Sequence, residues 1–142
     1  MTLTHDRRTE LLASAPLLAG VDAAGLATIA ERVLEVVFEA GHVIVRQGDV
    51  GTGFFIIASG GARVVRGGGT VATLGPGDFF GELSVLDGRP RVAQVIAEGP
   101  TVCLALASWD FEAVIMEQPS VALAILRGLA SRLRDLTETD RH

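Results

Sequence analysis

Glu82 and Arg91 lie at the ends of a short glycine-containing segment. Arg91 could bind an anion, and Glu82 could bind a hydroxyl group. A carboxylate accepts hydrogen bonds, and a guanidinium donates two in parallel to a phosphate. Strand-breaking residues occur before and within this segment, at Gly77, Gly81, Gly88 and Pro90. We therefore expect the chain to fold back and to bring the acid and the guanidinium towards one pocket. Their types and spacing predict a ligand-binding site.

The elements that position this segment are expected to form a single domain over residues 1–142. The chain is 142 residues long and 49% hydrophobic. A domain of this size buries roughly two thirds of its unfolded surface and folds without a metal or disulfide. The single cysteine, Cys103, lies in an apolar run and is predicted to be a small buried hydrophobe, which suits a reducing, intracellular compartment.

Hydrophobic periodicity divides the chain into two helical ends and a β-rich middle. Leucines at helical spacing predict helices over about residues 6–33, with Asp22 as the N-cap of the second. Short β-branched runs separated by glycines predict strands over about residues 34–107. The helical period returns over about residues 108–137. This pattern predicts an α+β, mainly β fold, with a small antiparallel barrel or sandwich in the middle.

Charge and hydropathy exclude several classes of function. The net charge is −5 and all 12 basic residues are arginines, with no basic run that could hold nucleic acid through its phosphates. No stretch reaches the roughly 18 apolar residues that a membrane-spanning helix needs. We therefore expect a cytoplasmic protein that binds neither DNA directly nor a membrane.

Signals for catalysis are weak throughout the sequence. The three histidines, His5, His42 and His142, are far apart, and neither a His-x-x-x-His pair nor a Gly-x-Ser-x-Gly elbow occurs. The absence of lysine excludes a Walker lysine. We predict neither enzyme activity nor a bound metal.

The last predicted helix carries an apolar seam at alternating spacings of four and three. Its members are Ala122, Leu126, Leu129, Leu133 and Leu136. This spacing is typical of a coiled coil and would allow a homodimer. A helix that packs on its own barrel would show a similar stripe over so short a length. The sequence leaves both interpretations open.

The segment from Gly75 to Ala93, GPGDFFGELSVLDGRPRVA, resembles the phosphate-binding cassette of cyclic-nucleotide-binding domains. This family includes domains of the catabolite activator and cyclic-AMP-dependent kinase regulatory subunit type. Upstream, EAGHVIVRQGD and FFIIASG are similar to its early strands, so that the resemblance covers about residues 17–136. It implies an eight-stranded, antiparallel, jelly-roll-like β-barrel (a double-stranded β-helix) with flanking helices.

The resemblance also implies a role for each part of the cassette. Arg91 would hold the cyclic phosphate, and Glu82 would accept a hydrogen bond from the ribose 2′-hydroxyl. Further contacts to the phosphate would come from Gly81, Leu83, Ser84, Val92 and Ala93. The base would lie against Val64, Val71, Leu74 and Leu83. If these residues do not bind a ligand, the alternative is that Arg91 is a solvated strand residue in a surface ion pair and Glu82 is a turn carboxylate.

The resemblance implies a regulatory sensor that signals through its C-terminal helix. Val92 stands where a threonine hydroxyl is associated with guanine, so we expect cyclic AMP to bind better than cyclic GMP. The ligand would repack a hinge near Phe111 to Pro119 and shift the last helix. The sequence ends about five residues after Thr137, and we expect no DNA-reading helix-turn-helix. The output would pass to an unknown effector protein. The alternative is a module that keeps the fold and docks on a partner without ligand.

Overall fold

A computed structural model describes residues 3–48, 53–81 and 90–139. The helices in this part of the chain are α1 (His5–Ser14), α2 (Ala23–Arg32), α3 (Ser108–Glu117) and α4 (Pro119–Thr139), and a 3-10 turn covers Pro16–Leu18. The strands are β1 (Leu34–Phe38), β2 (Val43–Val45), β3 (Gly53–Ser59), β4 (Ala62–Arg66), β5 (Gly69–Leu74), β6 (Phe79–Phe80), β7 (Gln94–Ala97) and β8 (Thr101–Ala107). Helical ends therefore flank a β-rich middle, which confirms the predicted α+β class. In the described residues, more of the chain is helix than strand, so the mainly β part of the prediction is not confirmed.

The strands form two antiparallel sheets, and the chain passes repeatedly from one sheet to the other. One sheet has the order β1-β8-β3-β6 and the other the order β2-β7-β4-β5. Strands that neighbour each other in a sheet are mostly distant in sequence, as in the pairs β1 with β8 and β2 with β7. As a result, β4, β5 and β7 of one sheet and β6 of the other contribute residues to one cavity together with Gly81 and Arg91.

Two hydrophobic clusters lie on opposite faces of β3 and β8. Phe54 and Ile56 belong to the cluster that includes the helices, whereas Ile57 and Cys103 belong to a second cluster shared with the other sheet. This follows from the alternation of side chains along a strand. Burial raises the pKa of the Cys103 thiol to about 12, so the thiol stays neutral and is unreactive at neutral pH.

Asp22 caps α2, as the sequence predicts. Its Oδ1 accepts a hydrogen bond from the backbone N–H of Gly25 at 2.8 Å, which satisfies one of the donors left unpaired at a helix start. The capped helix packs its apolar face, Leu26, Ile29 and Ala30, into the first cluster. The N-terminal helices therefore form part of the hydrophobic core.

The corner between α3 and α4 is tied to α2 by polar side chains. Arg32 donates to Asp110 Oδ1 at 3.3 Å and to Glu117 Oε1 at 2.6 Å. Gln118, between the two helices, donates from Nε2 to Thr28 Oγ1 at 2.5 Å. These contacts lie in the region where the sequence predicts a hinge, and they fix the corner against α2 in this conformation.

The apolar residues of α4 point in two directions. Val121 and Ile125 are buried in the first cluster, although neither belongs to the predicted seam. Leu126, Leu133 and Leu136 of the seam are 61%, 66% and 64% exposed. Leu129 of the seam packs against the first cluster as well, so α4 packs on its own domain through Val121, Ile125 and Leu129. The other three leucines remain exposed.

In the described ranges, no helix taken singly combines the length and the apolar character needed to cross a membrane. The pair α3 and α4 reaches that length and hydropathy only when the two are joined, and they meet at a bend of 110°. This match rests on length and composition alone.

Candidate functional site

The turn before β6, residues 75–78, is fixed against the first sheet by backbone hydrogen bonds. Gly77 donates its N–H to the carbonyl of Ile57 at 2.8 Å, and Ile57 donates to the carbonyl of Asp78 at 2.8 Å. Asp78 Oδ2 accepts from the N–H of Gly75 at 2.8 Å and closes the turn. Because β6 then pairs with β3, the chain enters the predicted site in a defined register.

Gly81 follows β6 and has a conformation that favours glycine. Its φ is +87°, in the left-handed region. A Cβ at this position would collide with Nη1 of Arg91 and would lie 3.0 Å from the carbonyl oxygen of Gly53. Two separate steric reasons therefore favour glycine at position 81: its positive φ and the close approach of the Arg91 guanidinium to its backbone.

Arg91 is held at both its backbone and its side chain. Its carbonyl accepts a hydrogen bond from the N–H of Gly48 at 2.8 Å. Its Nη2 donates to the carbonyl of Gly53 at 2.7 Å, and the pair is partly buried. A guanidinium carries five N–H donors, and the bond to Gly53 uses one of them. The fold thus orients Arg91 next to Gly81 rather than leaving it extended into solvent.

Arg91 and Gly81 form part of the wall of a cavity of about 230 Å³. The described residues that line it are Val45, Val64, Arg66, Leu74, Phe79, Phe80, Gly81, Arg91, Val92, Ala93 and Val95. Most of them are apolar, and the charged groups among them are guanidiniums. The volume is somewhat below the roughly 300 to 1,000 Å³ usual for small-molecule sites. This cavity suits one small anionic molecule with an apolar or aromatic part.

The structure brings most of the described site residues of the sequence analysis together. Those that line the cavity are Gly81, Arg91, Val92, Ala93, Val64 and Leu74. The predicted ligand contacts Glu82, Leu83 and Ser84 lie outside the described residues.

Val71 does not line the cavity, and its side chain is 58% exposed. The register explains why. Ala62 of β4 pairs with Leu74 of β5, and Val64 pairs with Ala72. The next pair is Val65 with Thr70, so Val71 is the unpaired residue of a register shift and is not placed opposite Val64 or Val65. A role for Val71 against the base stays a prediction that this register does not favour.

Five residues of the lining were not identified from the sequence. They are Val45, Arg66, Phe79, Phe80 and Val95. Phe79 and Phe80 form β6 inside the cassette itself. Arg66 follows Val64 by two positions on β4, so strand alternation from Val64 would have indicated it.

An aromatic group lies behind the cavity wall. The ring of Phe80 stacks on Phe55 with centroids 5.1 Å apart and an interplanar angle of 15°. Phe55 in turn meets Phe38 edge-on at 6.4 Å. These rings lie in or against the second hydrophobic cluster. They support the apolar side of the cavity with rigid, well-packed groups.

Metal chemistry has no support in the described part of the chain. No group of three or more histidine, cysteine or acidic side chains there could hold a metal ion. The site offers instead a guanidinium, a glycine turn and apolar walls. This combination can bind an anion and a flat group, and it holds no described nucleophile.

The model of the cyclic nucleotide-binding domain family matches residues 35–118. The chain is 41% identical over 101 residues to a cAMP-dependent protein kinase regulatory subunit from Schizosaccharomyces pombe, which covers 70% of this chain and 24% of the relative. It is 36% identical over 135 residues to a CRP-like cAMP-activated global transcriptional regulator from Mycobacterium tuberculosis, which covers 88% of this chain and 58% of the relative. The chain thus spans less than two thirds of these relatives.

Solved structures share the same architecture. The N-terminal domain of a transcriptional regulator from Streptomyces coelicolor A3(2) superimposes with a TM-score of 0.84 at 30% identity, covering 90% of this chain and 95% of that one. The catabolite activator protein of Thermus thermophilus gives a TM-score of 0.72 at 36% identity, covering 87% of this chain and 61% of that one. These matches confirm the resemblance read from the cassette.

Proposed function

The chain belongs to the family of cyclic nucleotide-binding domains, and we propose that it binds cyclic AMP in the cavity beside Gly81 and Arg91. The observation that carries this proposal is the Arg91 guanidinium, held by the Gly53 carbonyl at the wall of an otherwise largely apolar cavity. A cyclic nucleotide matches this arrangement because it joins one phosphodiester anion to a flat base. The members of this family are regulatory, and we assign no catalytic step to the chain.

In this proposal Arg91 binds the cyclic phosphate. A guanidinium is planar and permanently charged, and it can donate two parallel hydrogen bonds to phosphate oxygens. The backbone at Gly81 approaches the same anion, and the amides of Leu83 and Ser84 would add donors. Glu82 would accept a hydrogen bond from the ribose 2′-hydroxyl. The last three residues lie outside the described part of the chain.

The base lies against the apolar wall formed by Val64 and Leu74 in this proposal. Val92 lines the same cavity and carries no hydroxyl group, so it cannot donate to guanine. The names of the two relatives point to cyclic AMP, since one is cAMP-dependent and the other cAMP-activated. We therefore propose a preference for cyclic AMP over cyclic GMP.

We further propose that the two sheets close into a jelly-roll-like barrel that forms, with its helices, a single domain over residues 1–142. Ligand binding would move the segment after Gly81 inward and shift the corner at Gln118, where α3 meets α4. The signal would leave through α4. A free, buried Cys103 suits the reducing cytoplasm as the place where this occurs.

The proposed output is a protein partner. The exposed leucines of α4, Leu126, Leu133 and Leu136, could pair with a second copy of the chain or with an effector. With a net charge of −5 and no basic run, we do not expect the domain itself to hold DNA. The identity of the effector does not follow from these residues.

Calorimetric titration of the protein with cyclic AMP and cyclic GMP tests the proposal. We expect binding of both ligands, with cyclic AMP the tighter. Val92→Thr should narrow the gap several-fold, because valine and threonine are nearly isosteric and the hydroxyl is the main change. A Val37→Thr variant makes the same change at an exposed position of β1 and should leave both affinities unchanged. Absence of binding to either nucleotide would favour the ligand-free interaction module.

A further inference from the structure

Arg66 is a second guanidinium in the wall of the cavity, and it lies on a different strand from the segment that carries Arg91. It ends β4, two positions after Val64. Side chains two apart on a strand share a face, and both residues line the cavity. Arg66 therefore points to the same space as the apolar wall.

The charge of Arg66 is not balanced by a described neighbour. Across residues 3–48, 53–81 and 90–139, its guanidinium forms neither a hydrogen bond nor an ion pair. The described lining of the cavity contains no carboxylate. Arg66 thus has N–H donors to offer to an occupant of the cavity.

The position of Arg66 relative to the wall indicates which part of a ligand it meets. Under the proposed function, on which this inference rests, the phosphate lies beside Gly81 and Arg91 and the base against Val64 and Leu74. Arg66 is roughly 7 Å beyond Val64 along β4. A flat base on that wall would present its edge, rather than its face, to the guanidinium.

We propose that Arg66 donates hydrogen bonds to the edge of the base and thereby helps to set the base preference of the pocket. Guanine offers two acceptors on one edge, O6 and N7, and this pair matches the fork of an arginine. Adenine offers N7 but presents the N6 amino group, a donor, where guanine has O6. Arg66 therefore strengthens guanine binding more than adenine binding and opposes the effect of Val92.

The test compares Arg66→Met with a matched control, Arg63→Met. Both remove one positive charge from β4, but Arg63 lies outside the cavity lining and, one position from Val64, on the other face of the strand. We expect Arg66→Met to weaken cyclic GMP about tenfold, which corresponds to about 1.4 kcal/mol, and cyclic AMP less than about threefold. Arg63→Met should change neither affinity appreciably.

Two further measurements separate hydrogen bonding from general attraction between charges. Arg66→Lys keeps the charge but loses the fork, so it should lose most of the effect on cyclic GMP. The 7-deaza analogue of cyclic GMP lacks the N7 acceptor and should bind the unmodified protein several-fold more weakly than cyclic GMP does. The Arg66→Met variant should bind cyclic GMP and its 7-deaza analogue with almost equal affinity.

Three results would overturn the role of Arg66: an equal loss of affinity for both nucleotides in Arg66→Met, no loss of affinity in that variant, or the same loss in Arg63→Met. If the unmodified protein binds a cyclic nucleotide, but the ratio of its affinities for cyclic AMP and cyclic GMP does not change in Arg66→Met, this inference alone fails. If the unmodified protein binds neither nucleotide, the proposed function fails, and the role of Arg66 fails with it. Thermal unfolding of each variant identifies loss of fold as a separate cause.

Discussion

Arg91 and Arg32 show how differently this chain uses the same side chain in two regions. Arg91 is oriented in the cavity wall by the Gly53 carbonyl, with Gly81 placed so that the two can approach closely. Arg32 bridges the acids Asp110 and Glu117 at a helical corner where all three side chains are at least 29% exposed. A backbone carbonyl helps to orient the first guanidinium, and two carboxylates hold the second.

The difference has an energetic consequence. Exposed ion pairs such as those of Arg32 contribute about 0.2 to 1 kcal/mol each, because water and salt screen them. The hydrogen bond from Arg91 to the Gly53 carbonyl orients the guanidinium at the cavity wall, where an anionic ligand can meet it. We expect Arg91 to contribute mainly to ligand binding and Arg32 mainly to the contact between helices.

The strongest test of this contrast removes the Arg91 guanidinium. Arg91→Ala should weaken cyclic AMP binding about a hundredfold, since two charge-assisted hydrogen bonds contribute about 1.5 to 3 kcal/mol each. Isothermal titration calorimetry measures the change. Arg63→Ala removes the same charge outside the cavity lining and serves as the control. An unchanged affinity in Arg91→Ala would show that another group holds the phosphate.

Gly81→Ala tests whether close approach to Arg91 is required. The new Cβ would combine an unfavourable φ with a collision against the guanidinium. We expect affinity to fall at least about tenfold and the free energy of unfolding to fall by about 1 to 3 kcal/mol. Chemical denaturation and ligand titration report the two effects separately.

Gly41→Ala is the matched control for that change. Gly41 has a φ of +82°, but a Cβ added there would meet no described heavy atom within 4 Å. This variant should lose stability through backbone strain alone and keep its ligand affinity. Similar affinity losses in the two variants would rule out the steric role of Gly81.

The ligand's sugar extends the comparison to Glu82, the residue proposed to bind the ribose. If the carboxylate accepts the 2′-hydroxyl, 2′-deoxy cyclic AMP should bind about tenfold more weakly, from one charged hydrogen bond of about 1.5 to 3 kcal/mol. Glu82→Gln should lose less affinity than Glu82→Ala, because the amide oxygen still accepts. Additive losses in a cycle of Glu82→Ala with the deoxy ligand would exclude direct contact.

The smallest effect is expected at the helical corner. Arg32→Ala should lower the free energy of unfolding by about 1 kcal/mol or less and change ligand affinity by less than about twofold. The loss in stability should shrink in 1 M salt, where charges more than about 3 Å apart are screened. A loss above about 3 kcal/mol would mean that Arg32 supports the hydrophobic core.

The local features of the site could be predicted from the sequence. The glycines and Pro90 mark a break in the strand pattern, and Arg91 supplies a permanent positive charge suited to an anion. The N-cap role of Asp22 at the start of α2 and the change from strand to helix near Ser108 could also be predicted from the sequence. These features depend on neighbours in sequence, through backbone sterics, capping and hydrophobic period.

The faces of the strands and of α4 were decided by the tertiary structure. Val71 falls at a register shift between β4 and β5 and lies outside the cavity lining, whereas Arg66 lies in the cavity wall. Packing in the first hydrophobic cluster buries Val121 and Ile125 of α4 and leaves Leu126, Leu133 and Leu136 of the seam exposed. Pairing register and packing join residues that are distant in sequence. Local residue types therefore specify which elements form, whereas contacts between elements determine which side chains meet in the cavity.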